Sequence, residues 1–192
     1  MHSRIVGPTA PDEASPCPDD AAGLGAACAA IVAAARRRAV RDGDRQIDTA
    51  HLLHSLLEHD PEVRAAVGGP AQLARLFGYL VQRSIGYGLR WQGSVEDSGA
   101  IAVVARPDGS AGSDGSGGWS PVAAAALVEA RARAHRRGEP RAAGTDLLAA
   151  LIADPESRAV QVLERAGIPA RELRTRLDRG VEAGADDQGA AC

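Results

Sequence analysis

At 192 residues the chain is long enough for one domain with a sizeable core plus flanking segments. Its hydrophobic fraction of 45% is ordinary, but aromatic residues make up only 3%, and much of the remainder is alanine, the strongest helix former, so the composition is that of close-packed helices. The formal charge of −3 argues against a nucleic-acid or anionic-membrane partner, and the complete absence of lysine excludes a conventional P-loop, whose lysine contacts the phosphates.

Residues 1 to about 21 contain four prolines and several acids with few large apolar groups, and read as a disordered tail. Asp12, Glu13, Asp19 and Asp20 are incompatible with a secretory signal, and no apolar run approaches a membrane span, so a cytoplasmic location is expected. From Ala22, the residues Leu24, Cys28, Ile31, Val32, Ala35 and Ala39 recur at three- and four-residue steps, which predicts one face of a helix ending at Gly43. Thr49 is the expected cap of a second helix with Leu52, Leu53, Leu56 and Leu57 as its apolar stripe. Asp60-Pro61-Glu62 is a helix start signal, with Asp as cap and Pro in the first turn, and Gly68-Gly69 a stop. A fourth helix follows Pro70, with Leu73, Leu76, Phe77, Leu80 and Val81 facing inward. Gly86–Gln92 and Ala100–Val104 read as two short strands around Glu96–Gly99, and residues 107–118 as a Gly/Ser-rich linker.

The same order then recurs. Ser120-Pro121 opens a helix with Ala126, Leu127, Ala130 and Ala134 inward, and Gly138 ends it. Leu147, Leu148, Leu151 and Ile152 repeat the stripe, Asp154-Pro155-Glu156 repeats the start signal, and Leu173 and Leu177 anchor a last helix after Gly167-Ile168-Pro169. Gly43–Leu57 aligns with Gly138–Ile152 without a gap at a constant offset of 95 residues, which marks a duplicated domain half. The organisation expected is a tail (1–21), a first repeat (22–84), an insert (85–118), a second repeat (119–180) and a tail (181–192), the two repeats forming one domain.

Asp48-Thr-Ala-His-Leu-Leu53, Ala143-Gly-Thr-Asp-Leu-Leu148, Val162-Leu-Glu-Arg-Ala-Gly-Ile168 and Trp119-Ser120-Pro121 together resemble the double repeat of the Clp N-terminal domain family, over roughly residues 22–84 and 119–179. The resemblance implies an all-α, eight-helix bundle of two pseudo-twofold-related four-helix repeats, with an irregular or hairpin insert between them. It implies a non-catalytic protein- or peptide-binding module whose partners are a Clp AAA+ unfoldase, its substrates or its adaptors, here without ATPase rings and acting as adaptor, receptor or decoy. Some family members bind phosphorylated arginine or cyclic peptide antibiotics, so the alternative is sequestration of a small molecule or peptide antibiotic that targets such domains. The family's motif glutamate is Ala50 in the first copy and Thr145 in the second, which leaves no carboxylate to face a guanidinium in two-point fashion and argues against phosphoarginine. Asp146 stands one position further on, about 100° around the helix.

The partner surface is expected in the groove between the repeats, near the starts of the motif helices, with Trp119, Thr49, His51, Thr145 and Asp146 as its residues. Trp119 is also readable as a residue folded back onto the bundle. Phe77 is in register with the apolar face and reads as core. His51 and His54 lie three apart on one helix, but only His59 and Asp60 are near as further ligands, so no metal is expected. The arginines at 36–38 and at 131, 133, 136 and 137 read as solvated helix faces. Cys17, Cys28 and Cys192 are scattered and odd in number, which excludes a disulfide framework. No catalytic motif occurs and no cofactor is implied.

Overall fold

The computed structural model of the protein describes residues 23–84, 96 and 118–189. The tail at 1–21, the hairpin expected at 86–104 apart from Glu96, and the linker at 107–117 lie outside the described residues. Eight helices are present among the described residues: α1 (Ala26–Asp42), α2 (Thr49–His59), α3 (Pro61–Val67), α4 (Pro70–Ser84), α5 (Pro121–Arg136), α6 (Gly144–Leu151), α7 (Arg158–Arg165) and α8 (Ala170–Gly189). The fold is all-α. Its only extended pairing among these residues is a two-residue parallel ladder of β1 (Gln46–Ile47) and β2 (Gly118–Trp119), plus a single parallel bridge between Leu24 and Ala142.

These two pairings are equivalents under the 95-residue offset. Leu24 corresponds to Trp119, and Ile47 to Ala142, so the lead-in to the first helix of each repeat pairs with the lead-in to the second helix of the other repeat. The Ser120 amide donates to the Ile47 carbonyl at 2.9 Å, and the Gly25 amide donates to the Ala142 carbonyl at 3.2 Å. Each repeat thus uses its twin to satisfy backbone groups that have no partner inside a helix. One contiguous apolar cluster draws from both halves, and the stripes of α2 (Leu52, Leu53, Leu56, Leu57) and α6 (Leu147, Leu148, Leu151, Ile152) are buried at its centre. Alanines at 35, 39, 50, 123, 130 and 159 let the helix backbones approach closely, which is how a core with so few aromatics closes.

Several helix starts differ from the sequence expectation. Asp48, not Thr49, caps α2: its Oδ1 accepts from the His51 amide at 3.0 Å, and Thr49 is the first helical residue. Asp60 caps α3 as expected, accepting from the Glu62 and Val63 amides. The matching Asp154-Pro155-Glu156 does not start a helix. Asp154 accepts only from Glu156, and Ser157 caps α7 one turn later through Val160. Val81 is half exposed rather than inward, while Leu76 and Leu80 are buried and Phe77 packs against the core edge. The helical backbone of α8 continues through the residues expected as a C-terminal tail, to Gly189.

Gly144 shows how tightly the repeats meet. A Cβ added there would collide with Asp60 Oδ2, would come within 2.9 Å of its Cγ, and would lie 3.3 Å from Val63 Cγ2. Asp60 cannot swing aside without giving up the cap of α3, a loss of about 1 kcal/mol. Gly144→Ala is therefore expected to lower the unfolding free energy by about 1–2 kcal/mol in chemical denaturation. In a double-mutant cycle the same change should cost markedly less in an Asp60→Ala background.

Candidate functional site

Three helix starts converge between the repeats: those of α2, α5 and α7. Each presents first-turn donors without intrahelical partners and the positive end of a helix dipole. The group they surround is the carboxylate of Glu96, which is 5% exposed and arrives from 47 residues away in sequence relative to Thr49. Its Oε2 accepts from the Thr49 amide at 2.9 Å and from Ser120 Oγ at 2.8 Å. Its Oε1 accepts from the Arg158 amide at 2.7 Å and from Thr49 Oγ1.

The two hydroxyls are aimed by their own acceptor bonds. Thr49 Oγ1 accepts from the Ala159 amide at 3.0 Å, and Ser120 Oγ accepts from the Ala123 amide at 3.0 Å. Each hydroxyl proton is thereby left to point at the carboxylate. The result is a preorganised oxyanion seat with two donors for each oxygen.

The seat's pseudo-equivalent in the other half is built differently. Gly25 stands in the position of Ser120 and Gly144 in that of Thr49, so neither hydroxyl exists there, and the Asp60 carboxylate presses against Gly144 instead. Duplication has left one oxyanion seat and one filled site.

Beside the seat lies a buried charge network. Asp48, fully buried, accepts from Arg83 Nη2 and from Arg158 Nη1, the latter at 2.5 Å. Burial alone would push the Asp48 carboxyl up, but its hydrogen bond to His51 and the charges of His51, Arg83 and Arg158 hold it far below the usual carboxylate range. His51 is also fully buried. Its Nδ1 lies 3.1 Å from the Asp48 amide nitrogen and 2.8 Å from Asp48 Oδ1, and its Nε2 lies 3.0 Å from Asp44 Oδ2 and 3.1 Å from Arg83 Nη1. Burial opposes charge on its ring, yet the Asp44 and Asp48 carboxylates outweigh that and raise its pKa above the ordinary histidine value. Asp44, Asp48 and His51 place ligand atoms within 4.8 Å of one another, a spacing compatible with a metal ion. The Arg83 guanidinium bridges Asp44 and Asp48, however, and fills the cation's role.

The residues singled out in the sequence are thus dispersed. Thr49 lies in the seat. His51 is interior, where it completes a reciprocal cap with Asp48. Asp146 holds the matching place in α6: it accepts from the Ala143 amide at 3.0 Å and from both terminal nitrogens of Arg137. Thr145 is partly exposed in the first turn of α6. Trp119 is half-buried in the β1–β2 pairing, packed against the core with the Arg36 guanidinium 6.0 Å from its ring centroid. His51 and His54 do not converge, since His54 faces Phe77 at 5.9 Å and Glu58 at 3.4 Å.

Sequence reasoning missed Ser120, Arg158 and Glu96. Ser120 was visible as a helix cap, and Arg158 supplies a backbone amide that no side-chain motif reports. Glu96 stands in a stretch without periodicity.

The described residues form a duplicated helical fold with a polar junction between the repeats, centred on Glu96. Residues 119–191 match the family model of the Clp repeat (R) N-terminal domain. No curated protein matches the chain. Among solved structures, the N-terminal domain of the caseinolytic protease-associated chaperone ClpD from Arabidopsis thaliana is 12% identical with a TM-score of 0.52. A chain from structural work on a malarial protein secretion system is 15% identical with a TM-score of 0.57. Each comparison covers 83% of this chain and 95% of the other. The family match is confined to the second half, and the two solved structures share the all-α fold of both halves.

His54 provides a pH test of the packing around α2. Burial first, and then the nearby Arg38 charge, lower its pKa to about 4 against the opposing pull of Glu58 and Asp42. The unfolded chain therefore binds a proton between about pH 6.5 and 4 that the folded chain does not, and stability falls as pH is lowered through that window. The raised His51 acts above it, and the lowered Asp44, Asp48 and Glu58 act towards and below its acid end. Between pH 6.5 and 5 the unfolding free energy should fall with a slope of at most about 1.4 kcal/mol per pH unit, and His54→Gln should flatten it.

Proposed function

We propose that this protein is a non-catalytic Clp N-domain homologue that binds proteins or peptides for a Clp unfoldase system, as adaptor, substrate receptor or decoy. The observation that carries the reading is the inter-repeat seat itself: three helix starts and two aimed hydroxyls brought together by the pairing of two Clp-type repeats. We infer that partners dock over this junction, in a fold shared with the N-terminal domain of a protease-associated chaperone.

The other side chains suited to chemistry are committed to the fold. His51 serves as a cap, His54 is buried against Phe77 and kept neutral by its burial, and Cys28 is buried with its thiol pushed up to about 11 by burial and by Asp60 and Asp146. A thiol at that value is not a nucleophile at neutral pH. No helix of the described residues is long and apolar enough to cross a membrane, which fits a partner met in solution.

The test is binding of the purified chain to a purified Clp unfoldase, and to peptides that an authentic Clp N-domain binds, together with the rate of client degradation when the chain is added. Binding is expected, with degradation accelerated by an adaptor or slowed by a decoy. Thr49→Val should weaken binding by about tenfold, the equivalent of one good hydrogen bond lost in a buried seat. The reading is abandoned if the chain binds neither a Clp component nor any such peptide.

A further inference from the structure

The two backbone contacts that tie the repeats together at their lead-ins are each built on a single peptide group. The Ile47 carbonyl accepts from the Ser120 amide at 2.9 Å, and the N–H of the same peptide, that of Asp48, faces His51 Nδ1 at 3.1 Å. In the other half the Ala142 carbonyl accepts from the Gly25 amide at 3.2 Å, and the N–H of that peptide, that of Ala143, donates to Asp146 Oδ2 at 3.0 Å. Ile47, Asp48, His51 and Ser120 are the repeat equivalents of Ala142, Ala143, Asp146 and Gly25. Each peptide is held by the opposite repeat at its carbonyl and by the third residue of its own helix at its N–H.

The two third-position side chains differ in what a proton does to them. An ionised carboxylate is an acceptor only, whereas an imidazole accepts at Nδ1 only while that nitrogen is unprotonated. His51 Nδ1 also lies 2.8 Å from Asp48 Oδ1, and Nε2 lies 3.0 Å from Asp44 Oδ2. With Nδ1 bare and Nε2–H donating to Asp44, the Asp48 N–H has its acceptor. With both nitrogens protonated the ring donates to Asp48 and Asp44, and the Asp48 N–H loses it. Among the described residues the charged groups around the ring are Asp44 from the α1–β1 connection, Asp48 at the start of α2, Arg83 from α4, His54 further along α2, and Arg158 of α7 acting through Asp48. Burial opposes charge on the ring, but the bonds to Asp44 and Asp48 outweigh burial and Arg83 together, and the pKa stands above the ordinary 6.5.

We propose that His51 is a proton-operated latch on the Ile47–Asp48 peptide, so that one of the two inter-repeat contacts weakens when the ring gains its second proton while its twin at Ala142 does not. In the neutral state Nδ1 holds the Asp48 N–H and so fixes the peptide whose carbonyl meets Ser120. In the charged state Nδ1–H turns to Asp48 Oδ1, and the Asp48 N–H is left buried without its acceptor. The peptide is then held against the β1–β2 ladder from the carbonyl side alone. This loosening is local. A proton bound more tightly by the folded chain than by the unfolded one raises global stability as pH falls through the folded pKa of His51. The two effects have opposite signs, which separates the latch from unfolding.

Ring-nitrogen chemical shifts and amide hydrogen exchange of the isotope-labelled full chain test this between about pH 8.5 and 6.5. The neutral ring should carry its proton on Nε2. As Nδ1 gains its proton, the Asp48 and Ser120 amides should lose protection about tenfold after division by the intrinsic exchange rate, the equivalent of one hydrogen bond lost at a buried donor. The Gly25 and Ala143 amides should stay level, and the denaturation midpoint should rise. His51→Gln keeps a neutral acceptor at the third helical position and should hold Ser120 at its high-pH protection throughout. His54, with its pKa lowered to about 4, titrates below this window. A neutral ring protonated on Nδ1, Ser120 protection unchanged through the titration, an equal change at Gly25, or a pH dependence that persists in His51→Gln overturns the proposal. If that variant does not fold, the comparison of Ser120 with Gly25 in the wild type decides alone.

Discussion

The first-turn amides of helices that meet between the repeats need acceptors, and the groups that supply them fasten the two halves together. A helix start buried without a partner for its N–H groups costs roughly 1–3 kcal/mol per orphaned group. Here Ile47 and Ala142 each accept from a residue just ahead of a helix in the opposite repeat, and Glu96 accepts from helix starts of both. Apolar burial makes the core, but it is indifferent to the relative rotation of two similar four-helix units. The polar contacts at the helix starts fix that rotation, because a shift of one residue would orphan several donors at once.

The same constraint explains why the duplicated halves have diverged where they have. On the α6 side, glycines at 25 and 144 leave room for Asp60, whose carboxylate caps α3 and closes the site. On the α2 side, Ser120 and Thr49 carry hydroxyls that donate to Glu96, and α7 begins one turn later. The capping position three residues into each motif helix has diverged in parallel. His51 needs the Asp44–Arg83–Asp48 network to sustain a buried imidazole, whereas Asp146 meets Arg137 directly. A buried charge that lost its partner would be costly, so each capping residue and its counter-ions are tied to one another.

The helical stripes were legible in the sequence because periodicity records which face is buried, and Leu52, Leu53, Leu56 and Leu57 with their four counterparts lie where a 3.6-residue period puts them. The duplication was legible for the same reason. Local signals failed where tertiary demand overrode them. Asp60-Pro61-Glu62 and Asp154-Pro155-Glu156 are nearly the same string, yet only the first starts a helix, because Ser157 can cap where Val63 cannot. Thr49 reads as a cap and is a first-turn residue, since Asp48 offers a carboxylate one position earlier and the hydroxyl is drawn to Glu96. The reciprocal cap between Asp48 and His51 turns His51 inward, away from the partner surface expected for it. Glu96 had no local signal. Its role exists only once two segments far apart in sequence have placed their amides around it.

The same assembled geometry governs how the buried charges around Glu96 are met. The seat's donors are backbone amides and hydroxyls with no side-chain cation among them, so the Glu96 charge is met by hydrogen bonds and helix dipoles. The cations nearby are engaged instead by Asp48, which lets Arg158 donate its amide to the seat while its guanidinium reaches the neighbouring carboxylate. One residue thus serves two neighbouring carboxylates, through its backbone on Glu96 and its side chain on Asp48. Both carboxylates take donors from both repeats, so the seat and the charge network beside it lock the same junction.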